Sequence, residues 1–356
     1  MIVYFTKQYQ AVPALMQLYK GAGGIFVSTR GSTIRSVRRV YPDTRIAKLN
    51  QHLGRFSAGD RILRESGMII TGSPNRSLLE QYSAKKCMVF HGTFAYLVQS
   101  EVEAFRHFDL ICVIGPRMQD VMEKFCDPSR LIASGYIPFM EFPVQTPEMR
   151  SEFLESLGLN PENKTLLYLP RGKPFGSWDI MAEKLTRQVP KHYNLIMRPH
   201  PSQSVVSRVQ GKWQFMRLAR IGRERGNTYL DLVSCRLSTL FSVADLVISD
   251  GASSPEEALY YDVPQVFIES QNSSRQAIAE MMRRKKIDES YIEKLLTIYQ
   301  CGKIITPDSS NMPSILEQAI EENDFYRPYR NTYFNWVFGE RGLDRQRNLI
   351  NQLKRY

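Results

Sequence analysis

Long apolar runs are absent from this sequence: nowhere do about 18 apolar residues stand together, so no segment reads as a membrane span. The amino terminus, MIVYFTKQYQ, starts apolar but lacks the basic stretch and long apolar stretch of a secretion signal. A cytoplasmic protein is expected, with any membrane attachment peripheral and confined to the inner face. Cysteine is sparse. Cys87, Cys112, Cys126, Cys235 and Cys301 form neither a CxxC pair nor a Cys/His cluster, which argues against a zinc site and a disulfide framework. No metal and no cofactor are expected. Repeats of short period and low-complexity tracts are also missing, which excludes solenoids and disordered tails.

What is present is ordinary globular composition in 356 residues, 43% hydrophobic and 23% charged, long enough for two domains. The formal net charge of +11 implies an acidic partner: nucleic acid, an anionic membrane face or a polyanionic product.

Short apolar runs alternate with helical patterns along the first 140 residues. GGIFVST, SGMIITGSP, CMVFHGT, FDLICVIGP and RLIASGYIP read as strands of a parallel sheet. The turn-prone stretch 139–149, FMEFPVQTPEM, reads as a linker. A second series follows, with SEFLESLGL as a helix and KTLLYLP, YNLIMRPHP, ADLVISDG and VPQVFIES as strands. Helices are expected near 178–187, 202–209, 234–243 and 254–262, and residues 275–302 read as helical and basic. The expected organisation is an N-terminal Rossmann-like domain over 1–145, a second over 146–325 and a helical tail over 326–356, with a central polar cleft. The tail is aromatic and basic, and packing back over a domain is preferred to base stacking or membrane anchoring.

Three strand exits carry the chemistry. In VFHGT, His91 follows an apolar run and precedes Gly92, which suits a general base; a histidine that caps a strand is the structural alternative. In LIMRPHP, Pro199 and Pro201 stiffen a segment that sets Arg198 beside His200, suited to charge stabilisation, with a structural turn as the alternative. In VISDGASSPEE, Asp250, Gly251, Ser253 and Ser254 lead into a helix start whose N–H groups and dipole can hold a pyrophosphate, while capping alone also explains the pattern. Glu256 and Glu257 fall in its first turn, where a carboxylate can accept ribose or glycerol hydroxyls, while stabilisation by the helix dipole alone also explains them. Arg171 in LPRGK marks a fourth basic exit, without Walker A spacing. An anionic, phosphate-bearing substrate fits this set.

These residues, in this order, resemble the CDP-glycerol glycerophosphotransferase family, which builds teichoic acids and related capsule polymers. The resemblance runs from about Gly67 to the carboxyl end, through GMIITGSPNRSLLE, VFHGT, LIMRPHP, FSVADLVISDGASSPEEALYYDVPQVFI and YRNTYFNWVFGERGLDRQRNLINQL. It implies an α/β fold of GT-B type, two Rossmann-like domains with a C-terminal helix packing back toward the first. It implies transfer of glycerol or ribitol phosphate from a CDP-activated donor to a hydroxyl of a lipid-linked or polymeric acceptor. His91 is then the base, His200 with Arg198 the phosphate-stabilising group, and Asp250, Ser253 and Ser254 lie near the donor phosphates. Phe94, Ala95 and Tyr96 depart from the family's HGTP pattern, and Gly251-Ala252 replaces an aromatic residue before the serine pair. The Glu pair also resembles nucleotide-sugar enzymes of the same fold, such as UDP-N-acetylglucosamine 2-epimerases. A GT-B glycosyltransferase using a UDP- or CDP-sugar is the alternative enzyme. A basic nucleic-acid-binding protein is a third reading, which lacks any recognised binding motif.

Overall fold

A computed structural model describes residues 1–50, 52–53, 56–95, 97–206, 211–232, 235–251 and 253–356. The chain divides into two compact units, Met1–Glu141 with Asn335–Tyr356, and Phe142–Phe334.

The first unit holds strands β1 (Ile2–Phe5), β2 (Ile25–Ser28), β3 (Ile46–Lys48), β4 (Met68–Thr71), β5 (Lys85–Val89), β6 (Leu110–Val113) and β7 (Leu131–Ala133). They form one parallel sheet in the order β3-β2-β1-β4-β5-β6-β7. The second unit holds β8 (Lys164–Leu169), β9 (Tyr193–Met197), β10 (Thr228–Leu230), β11 (Leu246–Ser249), β12 (Gln265–Ile268) and β13 (Gly302–Ile305). Their order is β10-β9-β8-β11-β12-β13, also all parallel.

Central strands such as IVYF, MIIT, LVIS and QVFI are buried at every position. Helices on both faces bury both sides of such a strand, so it reads as an unbroken apolar run. The nine strands expected from such runs are all present. β1, β3, β10 and β13 are additional; β3 and β10 are three-residue edge strands with little burial to mark them. The stretch 139–149 is partly helical, because Thr146 accepts the amide of Met149 and caps the helix Pro147–Ser156. Expected helices appear at Trp178–Gln188, Leu237–Ser242 and Ser253–Ala258. Near 202–209 a π-helical turn covers Ser202–Val206, and residues 207–209 lie outside the described residues.

The tail divides at Asn335, inside the helix Asn323–Phe338. Its last helix, Asp344–Leu353, buries Leu349, Ile350 and Leu353 in the first unit's core beside Leu15 and Leu18 of the helix Val12–Ala22. Gln346 of that helix donates to the Tyr136 carbonyl at 3.2 Å. Burial of this apolar stripe is what binds the carboxyl end to the amino-terminal sheet.

Candidate functional site

In the first unit, His91 leaves β5 next to the exit of β4. Its Nδ1 lies 2.9 Å from the carbonyl oxygen of Gly72. A carbonyl can only accept, so Nδ1 carries the proton and the neutral ring keeps a bare Nε2. The His91 carbonyl accepts the Tyr136 hydroxyl at 3.2 Å, which holds the backbone of the turn. The Phe94 ring meets the imidazole edge-on, centroids 5.4 Å apart, from a residue at φ +48°. Burial pushes the His91 pKa below the ordinary imidazole value, and the hydrogen bond to Gly72 only partly offsets it. A neutral imidazole with a bare Nε2 is the form that removes a proton. The buried guanidinium of Arg117 donates to the Thr93 carbonyl at 3.0 Å and ties down the strand exit.

In the second unit the exits of β8, β9 and β11 stand together, because β8 lies between β9 and β11 in the sheet. Sequence order reverses between β8 and β11, the position at which doubly wound sheets open a crevice for ligands. His200 follows β9. The amide of Ser202 donates to its Nδ1 at 3.1 Å, and the Ser202 hydroxyl lies 2.7 Å from the same nitrogen. An amide can only donate, so Nδ1 is bare and the neutral ring carries its proton on Nε2. His91 and His200 are thus held in opposite tautomers. Burial, and secondarily the charge of Arg171, push the His200 pKa down as well. The backbone of Gly172 passes over this ring: a Cβ there would stand 2.9 Å from Nδ1.

Arg198 has a partner within the wall. Its Nη1 lies 3.2 Å from Oδ2 of the fully buried Asp231 and donates to the Cys235 carbonyl at 3.0 Å. The Asp231 amide in turn bonds the Met197 carbonyl at 2.9 Å. Asp250 is also turned inward. Its Oδ2 accepts the amides of Arg171 at 2.8 Å and Ser177 at 2.9 Å, clamping the loop between β8 and the helix Trp178–Gln188. Oδ1 has no hydrogen-bond partner among the described residues. Burial raises the Asp250 pKa against these amide bonds and Arg171. This carboxylate therefore shapes the Arg171 loop, and the guanidinium of Arg171 lies over the Phe175 ring at 5.6 Å.

Gly251 adopts φ +69°, and a Cβ there would stand 2.7 Å from the Tyr299 hydroxyl, so two separate constraints call for glycine. Ala252 and the side chain of Ser253 lie outside the described residues; the helix Ser253–Ala258 places Ser254 in its first turn. Glu256 is buried and accepts the Tyr333 hydroxyl at 2.8 Å, whereas Glu257 is half-buried. Among the described residues no group of three His, Cys, Asp or Glu side chains is placed to hold a metal ion.

Sequence reasoning did not find Gly72, Asp231, Ser177, Ser202 or Tyr333. Ser202 was within reach, since a serine two residues after a histidine at a strand exit can bond back to it. Asp231 and Tyr333 lie 33 and 77 residues from Arg198 and Glu256 along the chain, and no local signal links them.

No family model and no curated protein sequence matches this chain. Among solved structures it is similar to the wall teichoic acid polymerase TagF, with a TM-score of 0.66 and 14% identity over 100% of this chain and 89% of that one. A TagF variant soaked with CDPG gives a TM-score of 0.69 at 12% identity, over 100% and 88%. HepE from Anabaena in complex with UDP-glucose gives 0.56 at 13%, over 99% and 98%. The likeness to polymer-building transferases read from the motifs is therefore accompanied by a likeness in fold, and the fold is α/β of GT-B type.

Proposed function

We propose that this protein is a transferase that moves a polyol phosphate, glycerol or ribitol phosphate, from a CDP-activated donor to a hydroxyl of a lipid-linked or polymeric acceptor. The observation that carries this reading is the pair of opposite imidazole tautomers, bare Nε2 on His91 and protonated Nε2 on His200. His91 takes the proton of the acceptor hydroxyl as its oxygen attacks the phosphorus that bears the polyol. The bond from that phosphorus to the bridging oxygen breaks and CMP leaves. His200 donates a hydrogen bond from Nε2 to the phosphate oxygens, and Arg171 supplies positive charge there. Gly251, Ser253 and Ser254 give donors at the helix start, and Glu257 of the same helix brings a carboxylate suited to hydroxyl groups. Asp250, Arg198 and Glu256 hold these groups in place. Phosphoryl transfer gains chiefly from positioning and charge, which is the chemistry these residues supply.

No metal or cofactor enters this scheme. The reaction belongs at the cytoplasmic face of a membrane if its acceptor is lipid-linked. A sugar donor is the second reading, supported by the fold shared with HepE, whose structure was determined with UDP-glucose. Thermal-shift titration with CDP-glycerol, CDP-ribitol, CMP, UDP and UDP-N-acetylglucosamine separates the two, because a ligand that binds only the folded state raises its stability. Selective stabilisation by cytidine nucleotides, followed by CMP release with acceptor, supports polyol-phosphate transfer. Selective response to uridine nucleotides with nucleoside diphosphate release moves the assignment to sugar transfer.

A further inference from the structure

A cavity of about 310 Å³ opens within the second unit, at the edge of its sheet opposite the crevice. Lys164 begins β8, Asp245 immediately precedes β11 and Pro264 immediately precedes β12. These are three neighbouring parallel strands, so the cavity lies under their amino ends. Asp245 and Asp250 bracket β11 from its two ends, five residues apart and about 17 Å by the rise of a strand. A small molecule held here is therefore out of reach of the groups gathered at the carboxyl edge. Further walls come from Ile320 of the helix Met312–Glu321 and from Asn323, where the helix Asn323–Phe338 starts.

The walls are tied together by their own polar atoms. Asp245 Oδ2 accepts the Thr165 amide and Nη2 of Arg150, each at 2.7 Å, and Arg150 also donates to the carbonyls of Val243 and Asn163. Asp262, at φ +55°, is held by Arg327 and by the fully buried Arg330, whose Nη2 also donates to Asn323 Oδ1 at 2.5 Å. Gln145 Nε2 donates to the Ser242 carbonyl at 2.9 Å. Among the described residues, four groups of the lining are left without a partner: the Lys164 ammonium, Asp245 Oδ1, Gln145 Oε1 and the Asn323 amide nitrogen. Both lining carboxylates have arginine partners, so Lys164 is the one charge of the lining without an ion pair among the described residues. A ligand that brings an ammonium group gains little here. The four open groups call for one anion opposite Lys164, hydroxyl donors for the carboxylate and amide oxygens, and a hydroxyl acceptor for the Asn323 N–H. That is the chemistry of a polyhydroxylated phosphate.

We infer that this cavity binds a small polyol or sugar phosphate, with its phosphate on Lys164 and its hydroxyls on Asp245, Gln145 and Asn323. The ligand is either a free metabolite or one repeating unit of an anionic polymer. The full chain, labelled at its isoleucine methyl groups, is titrated with glycerol 3-phosphate. The Ile320 methyl resonance, identified through Ile320→Val, reports the cavity directly. A saturable shift is expected. Lys164→Gln raises the half-saturating concentration about tenfold or more, the worth of a charge-assisted hydrogen bond, and Lys164→Arg restores most of the affinity. An oligomer of glycerol phosphate units that saturates the shift at a tenfold lower concentration assigns the site to a polymer, and no gain over the monomer assigns it to the metabolite. Lys164 is exposed, and circular dichroism confirms that its variants are folded. Absence of a shift at millimolar glycerol 3-phosphate overturns the inference, as does unchanged half-saturation in Lys164→Gln. Inorganic phosphate or glycerol that saturates as readily as glycerol 3-phosphate also overturns it, because the cavity then does not read phosphate and hydroxyls together. The resonance stands at the other edge of the sheet from His200 and needs neither donor nor turnover, so the outcome is independent of the transfer reaction proposed above.

Discussion

The amide of Ser202 donates to Nδ1 of His200 at 3.1 Å, and this one bond decides on which nitrogen the neutral ring keeps its proton. The carbonyl of Gly72 imposes the reverse on His91, so two histidines with the same intrinsic chemistry are given different tasks by their backbone neighbours.

His91→Ala removes the group that accepts the attacking proton. Turnover falls by about 10²–10⁴-fold, the usual worth of a positioned base, in a variant that circular dichroism shows to be folded. In the native protein burial holds the imidazole neutral, so the acidic limb of kcat/KM lies below the ordinary histidine value of about 6.5. Full activity in the variant, or an acidic limb above that value, removes His91 from the base role.

Stability carries the same sign. His91 and His200 both have folded pKa values lowered by burial, so between the unfolded value and the folded one the unfolded chain binds more protons. Their contribution is intact above about pH 6.5 and is lost as pH falls through the folded values. Urea midpoints measured downward from pH 7.5 decline, and the decline is shallower in His91→Ala combined with His200→Ala. Parallel curves for the two proteins contradict the assignment.

Arg198→Met strands the buried carboxylate of Asp231 without its cation. The expected cost is about 3–5 kcal/mol of unfolding free energy, the range for breaking a buried pair from one side. Adding Asp231→Asn restores part of it, because a neutral amide no longer needs the guanidinium. A double variant no more stable than Arg198→Met shows that the pair does not act as a unit.

Gly251→Ala meets two obstacles, a left-handed backbone and the Tyr299 hydroxyl at 2.7 Å. A loss of about 1–2 kcal/mol is expected from backbone conformation alone, with further loss from the contact. Tyr299→Phe in the same chain recovers only the contact portion. Chemical denaturation of the two variants separates these contributions, and a fully native Gly251→Ala midpoint refutes both.

Gly172→Ala tests whether the loop between β8 and its helix positions His200. Its methyl group would stand 2.9 Å from Nδ1 and has to push the ring or the loop aside. Turnover is expected to fall by roughly 10–100-fold with little change in donor binding, the consequence of displacing a reacting group by a fraction of an ångström to one ångström. Thermal shift reads the binding, and retention of native turnover shows that the site tolerates the displacement.

The parallel α/β layout was legible because a strand covered on both faces must be apolar throughout, and nine such runs stand out of the sequence. The edge strands β3 and β10 escaped for the opposite reason: their residues are only half-buried or exposed, so no apolar run marks them. His91, Arg198, His200 and Asp250 were read at strand ends because each follows a short apolar run. Their orientation was not readable. Asp250 carries the same carboxylate whether it meets water, a ligand or two amides.

Sequence by itself determined the two α/β series, the absence of a membrane-spanning helix among the described residues, and the clustering of His, Arg, Asp and Ser at strand exits, since these follow from local hydrophobic pattern. Only the tertiary structure decided which imidazole nitrogen is bare, that Arg198 pairs with Asp231, and that Glu256 turns to Tyr333. Those outcomes depend on partners brought together by sheet order from distant parts of the chain, and a hydrogen bond takes its direction from the group that arrives opposite it.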